Sequence, residues 1–134
     1  MKSIRIISIS ILIIVAINAL VAGYSFMHDP SGSGLHISTD RLKHSPFKDY
    51  FIPGLVLFVI NGVFNLVAAV FILFRWKPYI IMLSLQGVML SGWILVQVIM
   101  LQDFNILHGV FLAIGILLWT FAFILNKAAT RSLT

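Results

Sequence analysis

The sequence predicts an all-α fold: a four-helix transmembrane bundle with a structured outer loop between helices one and two. Three observations predict it. Sixty percent of the 134 residues are hydrophobic and only 10% are charged, where a soluble domain carries about 25% charged residues. Secondly, the charges cluster. Free of Asp, Glu, Lys and Arg are 23 residues between Arg5 and Asp29, 25 between Asp49 and Arg75, 25 between Lys77 and Asp103, and 23 between Asp103 and Lys127. Thirdly, a hydrocarbon core about 30 Å thick needs about 20 apolar residues at about 1.5 Å each. Each stretch therefore spans once, and none is long enough to span twice. A chain of 134 residues makes one domain.

The expected spans are about 4–26, 52–74, 78–101 and 105–126, with an outer loop over about 27–51. Span one follows Lys2 and Arg5. Its apolar run exceeds the usual core of a signal peptide, about 7–15 residues, so it reads as a helix that stays in the membrane. Span two opens near Pro53 and span three near Pro78, where a missing N–H has no intrahelical partner to lose. Arg75, Trp76 and Lys77 form the turn between them. Gln102 to Asn105 form the next turn, with Asp103 or Asn105 as the N-cap of span four. Such short turns make neighbouring helices antiparallel and adjacent.

The outer loop begins His28-Asp29-Pro30-Ser31-Gly32-Ser33-Gly34, which is turn chemistry throughout. Ser38-Thr39-Asp40 is a capping signal for a short helix through about His44. Phe47, Tyr50 and Phe51 place aromatic rings at headgroup level. The segment is expected to lie on the bundle as a lid.

Charge sets the topology. Lys2, Arg5, Arg75, Lys77, Lys127 and Arg131 share one side with no acidic residue. The other side holds Arg41, Lys43 and Lys48 with Asp29, Asp40, Asp49 and Asp103. The positive-inside rule makes the first side cytoplasmic, with both termini. The net charge of +5 then belongs to helix ends and lipid headgroups, not to nucleic acid.

The stretches Asp29-Pro30-Ser31-Gly32, Ser45-Pro46-Phe47-Lys48-Asp49-Tyr50 and Ile52-Pro53-Gly54-Leu55, with Asn61-Gly62, resemble a family of small bacterial four-helix membrane proteins. These are loosely similar to the DoxX-like membrane proteins. The resemblance covers most of the chain and is most distinctive in the outer loop and the start of helix two. It implies a bacterial inner (plasma) membrane protein of this topology and carries no activity or catalytic residue with it.

Several function classes fall away. The chain has no cysteine, so thiol redox chemistry, disulfides and thiolate metal sites are excluded. No Asp, Glu, Lys or Arg lies deep in a span. That weighs against ion-coupled transport, including a small multidrug antiporter, where an embedded carboxylate is the coupling device. No serine sits in a nucleophile-elbow pattern.

Neutral polar residues remain. Asn61 and Asn65 share a face of helix two, four residues apart. Gln86 and Gln97 share a face of helix three, with Trp93 on the same stripe. Asn18 lies in helix one and His108 near the outer end of helix four. Asn18, Asn61, Asn65, Trp93, Gln97 and His108 are the candidate ligand-binding residues, and Asn18, Asn61, Gln97 and His108 are expected to converge in the outer half. Packing through interhelical hydrogen bonds is the competing reading for each of them.

Small residues four apart mark close helix approach at Ala19/Gly23, Gly87/Ser91 and Gly109/Ala113. Packing within the bundle is the favoured reading, and a homodimer interface the alternative. His28, Asp29, Asp40 and His44 are weak metal candidates, because a closed zinc site needs three or four ligands and no spacing here is diagnostic. No catalytic residue, resident metal or cofactor is assigned. The leading functional expectation is a non-enzymatic membrane protein. It binds a lipid-like ligand or a partner membrane protein through its outer half, with membrane lipids and a homo-oligomer as further partners. The alternatives are a membrane-embedded enzyme acting on a lipid or quinone, with His108, His28 and Asp29 as its residues, and a small transporter subunit.

Overall fold

The computed structural model describes residues 1–132. Four long helices make the fold: α1, Lys2–His28; α2, Phe51–Leu73; α3, Tyr79–Leu101; and α4, Ile106–Ser132. No strand occurs among the described residues. All four helices are long and apolar enough to cross a membrane. Their outer faces are apolar too: Ile99 is 72% exposed, Leu73 61% and Ile81 63%. Helices apolar all round belong in lipid, where such faces need no further cover.

Adjacent helices pair. α1 lies along the whole of α2, α3 packs most extensively on α4, and α2 also packs on α3. Glycine sets the two tightest crossings. A Cβ on Gly23 of α1 would stand 2.7 Å from the Gly54 carbonyl oxygen of α2. A Cβ on Gly87 of α3 would stand 2.7 Å from the Gly115 oxygen and 2.7 Å from the Trp119 nitrogen of α4. Only a residue without Cβ lets backbones meet this closely. Ala19 and Gly23, and Gly87 and Ser91, are thus used inside the bundle. On α4 the close residue is Gly115; Ala113 is exposed.

All four helices feed one core, Leu12, Ala68, Ala69, Ile72, Leu83, Leu118, Ala122 and Leu125. A second cluster of Val15, Leu90 and Ile94 lies closer to the loop. α2 is not a uniform α-helix. From Leu57 to Val63 its turns widen to i→i−5 bonding, with Phe64 N–H donating to the Val59 oxygen. Asn61 and Gly62 sit buried in this segment. Wide turns of this kind interrupt the regular ladder and recur at functional sites.

The connections are short except for the first. Arg75 ends α2 at φ 51° and Gln102 ends α3 at φ 49°, both left-handed turns made without glycine. Asn105 caps α4 by accepting from Leu107 N–H (2.9 Å) and His108 N–H (3.2 Å).

Candidate functional site

The loop over residues 29–50 is folded, and two residues organise it. Asp29 gathers its first half. Ser31 Oγ–H donates to its Oδ1 (2.6 Å), and Ser33 Oγ–H and Gly34 N–H donate to its Oδ2 (2.5 and 3.2 Å). The hydroxyls of Ser31 and Ser33 hold its carboxyl below the usual carboxylate range. Gly32 turns the chain at φ 80°, and its missing Cβ leaves room for the Ile37 carbonyl and the Tyr50 ring.

Tyr50 anchors the second half. It is buried, stacks on Phe26 of α1 at 4.8 Å, and donates its hydroxyl to the Ser38 oxygen at 2.8 Å. Its backbone N–H reaches the Pro30 oxygen at 2.9 Å. Burial raises its phenol above the ordinary value, against the opposing pull of Arg41. Ser38 caps a 3-10 turn, Thr39–Leu42, shorter than the helix expected to run to His44. The turn lays Leu42 onto the bundle, and Arg41 pairs with Asp103 at 3.0 Å across to the α3–α4 connection.

Beneath this loop lies a cavity of about 90 Å³. Phe26, Leu42, Tyr50, Leu57 and Met100 give it apolar walls. Arg41, Trp93 and Gln97 add polar groups. The Trp93 Nε1–H is buried and has no partner. Indole nitrogen only donates, so the group it lacks is an acceptor. Trp93 is eight residues below the end of α3, about 12 Å by helical rise.

Deeper in the bundle the pattern repeats. Both side-chain polar atoms of Asn61 are buried without a partner, as are Asn65 Oδ1, Gln86 Oε1 and Ser8 Oγ. Asn65 Nδ2–H donates to the Asn61 backbone oxygen at 2.7 Å. Gln86 Nε2 finds only the Met89 sulfur, at 3.8 Å. Polar residues on the outside behave otherwise. Ser10, Asn18, Ser25, Thr120 and Thr130 each donate to the carbonyl four residues back. That bond satisfies them against lipid. These five interior side-chain oxygens and nitrogens thus stay open, while the five outward side chains close on their own helix.

Of the six candidate residues, the structure brings Trp93 and Gln97 to the cavity. Asn18, Asn61, Gln97 and His108 do not converge. Asn18 faces outward and is bonded to Ile14. Asn61 and Asn65 are buried within α2. His108 Nδ1 accepts from Asn105 N–H at 3.2 Å, completing a reciprocal cap with Asn105. This bond commits the ring to the helix end.

Among the described residues no three of His, Cys, Asp and Glu come together for a metal ion. His28 stacks on Tyr24 at 5.8 Å, Asp29 serves the loop, and Asp40 and His44 are exposed. The 3-10 turn has three residues per turn, so the four-residue spacing of Asp40 and His44 does not align them. Arg41, Leu42, Tyr50 and Phe26 line the cavity without a sequence signal beyond the Ser38 cap and the aromatic cluster at the loop's end. Nothing in the order of residues says which loop side chain turns down.

Fold and site together define the class: a multi-pass membrane protein, a four-helix bundle with a folded loop closing a small cavity at one end. No family model, curated protein or solved structure matches the chain.

Proposed function

We propose that this protein binds a small amphipathic, lipid-like molecule in the cavity beneath its loop, at the outer side of a bacterial plasma membrane. The carrying observation is Trp93, whose buried indole N–H has no partner and whose side chain lines a largely apolar chamber together with Gln97 and Arg41. A buried donor without a partner costs about 1–3 kcal/mol, and a ligand oxygen returns that. The ligand then carries an acceptor such as a carbonyl, ester or hydroxyl oxygen, seated against Trp93 and Gln97. Its apolar part packs on Phe26, Leu42 and Leu57.

Volume narrows the choice. A dry cavity of about 150 Å³ holds benzene. At about 90 Å³ this one is smaller, so a quinone ring does not enter unless the loop lifts, and a short apolar segment does. The basic residues at the other end of the bundle and the resemblance to small bacterial four-helix proteins, loosely DoxX-like, support this orientation and membrane, with both termini cytoplasmic. A role without catalysis fits the site best, since His108, His28 and Asp29 each serve a local structural contact.

The test is native mass spectrometry of the protein released gently from its own membrane, with identification of retained molecules. Trp93→Phe keeps a large ring and removes the donor. One retained molecule in the wild type, weakened roughly three- to ten-fold in Trp93→Phe, is expected from the loss of one hydrogen bond. A wild type that retains nothing, or Trp93→Phe retaining it unchanged, refutes the assignment.

A further inference from the structure

A second site lies at the other end of the bundle, on the surface of the α3–α4 pair. Two open grooves run along its seam and share Trp119 as a wall. The first, about 360 Å³, lies among Ile80, Ser84, Leu85, Phe123 and Asn126. The second, about 310 Å³, continues it past Gly87, Ser91, Gly92 and Leu95. From Ile80 to Leu95 the path is 15 residues, about 22 Å at helical rise. That exceeds one leaflet's half of a hydrocarbon core about 30 Å thick.

Glycine keeps the groove open. Gly92 has nothing within 4 Å of where a Cβ would stand, so it faces open space. The groove is therefore not the close α3–α4 crossing at Gly87 and Gly115; it lies beside it.

Charge identifies the occupant. Lys127 stands beside the first groove, with its Nζ 5.9 Å from the ring of Phe123, one of the groove's walls. Arg75 and Lys77 stand at the same end of the bundle, and every Asp of this Glu-free chain lies at the opposite end. No acidic side chain of the protein neutralises this end. A second copy seated here brings the same basic end alongside, which like charge opposes; an anionic lipid complements it. Ser84 supports the same choice. Ser10, Ser25 and Ser91 return their hydroxyls to the carbonyl four back, but among the described residues Ser84 makes no such bond.

We propose that this groove is a binding site for an anionic phospholipid. Its acyl chain lies along Ile80, Trp119 and Gly92, and its phosphate meets Lys127. The site is separate from the cavity under the loop and does not depend on it.

The experiment uses the full chain in nanodiscs of phosphatidylcholine with an equal share of phosphatidylglycerol. Lipids retained after stepwise detergent removal are counted by native mass spectrometry. The wild type retains phosphatidylglycerol preferentially. Lys127→Gln lowers that preference roughly five-fold, the weight of one basic residue near an anionic surface. A Cβ at Gly92 meets nothing within 4 Å, so Gly92→Leu is expected to fold, and it lowers retention of both lipids. Equal retention of the two lipids by the wild type overturns the proposal, as does Gly92→Leu retaining the wild-type amount. A dimer that Gly92→Leu dissociates, with lipid retention unchanged, assigns the groove to a second copy instead and also overturns it.

Discussion

Gly87 and Gly92 lie five residues apart on α3, and alanine at each is expected to act in opposite directions. At Gly87 a new Cβ meets the Gly115 oxygen and the Trp119 nitrogen, both at 2.7 Å. Carbon and oxygen sit comfortably at about 3.3–3.6 Å, so α3 and α4 must part by roughly 0.6–0.9 Å. Both obstacles are backbone atoms and no side chain can rotate away. Overpacking of this kind costs about 1–3 kcal/mol. Alanine's helix propensity returns up to about 1 kcal/mol. With the full propensity gain, the net expectation for Gly87→Ala is a loss of up to about 2 kcal/mol. At Gly92 nothing lies within 4 Å, so only the propensity gain remains. Gly92→Ala is expected to be neutral or up to about 1 kcal/mol more stable. Reversible unfolding by steric trapping in lipid bicelles measures both. Equal effects at the two positions, or a loss at Gly92 as large as at Gly87, would refute the claim that the α3–α4 crossing turns on Gly87 and its backbone neighbours.

Asn105→Ala removes the acceptor of two backbone N–H groups at the start of α4 and breaks its reciprocal cap with His108; a loss of about 1 kcal/mol in the same assay is expected. Arg41→Gln breaks an exposed ion pair, with side chains 43% and 51% accessible, so stability changes by less than about 1 kcal/mol. Amide exchange in Thr39–Leu42 should nevertheless quicken, and unchanged exchange would show that the pair does not hold the loop. Asp29 has a carboxyl held below the ordinary carboxylate range by the Ser31 and Ser33 hydroxyls. A lowered folded-state value means the stabilisation is fully present above the unfolded value and is lost as pH falls through the folded one. Amide protection at Ser33 to Ile37 should therefore be flat from neutral pH down to about 4 and fall below it, while Asp29→Asn should lose protection already at neutral pH.

The long-range architecture was legible because lipid imposes it. Four charge-free runs between basic and acidic clusters leave few alternatives to four helices, and the turn residues Pro53, Pro78 and Asn105 stand where helices begin. The site was legible only in part, for two reasons. Helical periodicity places Trp93 and Gln97 on one stripe but says nothing of which stripe faces the loop. Periodicity also assumes a uniform helix, and α2 widens over Leu57–Val63. Facing was the second gap. Asn18 and Asn61 are alike in type and apolar surroundings, yet one closes on its own helix in contact with lipid and the other is buried open. His28, Asp29 and His108, the residues of the acid–base reading, share one feature. Each of these side chains is held by a near neighbour in sequence: Tyr24, Ser31 with Ser33, and Asn105.

The unmet interior polar atoms set one more test. Asn61, Asn65, Gln86 and Trp93 carry unpartnered polar atoms on two packed helices. Packing glue would have joined them to each other, since a side-chain hydrogen bond between membrane helices contributes about 0.6–2 kcal/mol. Their openness points to a polar occupant or water entering from the loop end, and the absence of cysteine makes entry measurable residue by residue. A thiol reacts as thiolate, and burial in apolar surroundings suppresses that form. Single variants Gln97→Cys, Asn61→Cys and Ala68→Cys sample the cavity, the widened turns of α2 and the apolar core. With a small water-soluble methanethiosulfonate, Gln97→Cys should label fastest. Asn61→Cys should follow more slowly, and Ala68→Cys should stay unlabelled in the folded protein. Labelling of Asn61→Cys should also slow when the molecule retained at Trp93 is present, because it blocks the entrance. If Asn61→Cys is as inert as Ala68→Cys, no water passes beyond the cavity, and the buried amides are packing elements held without partners.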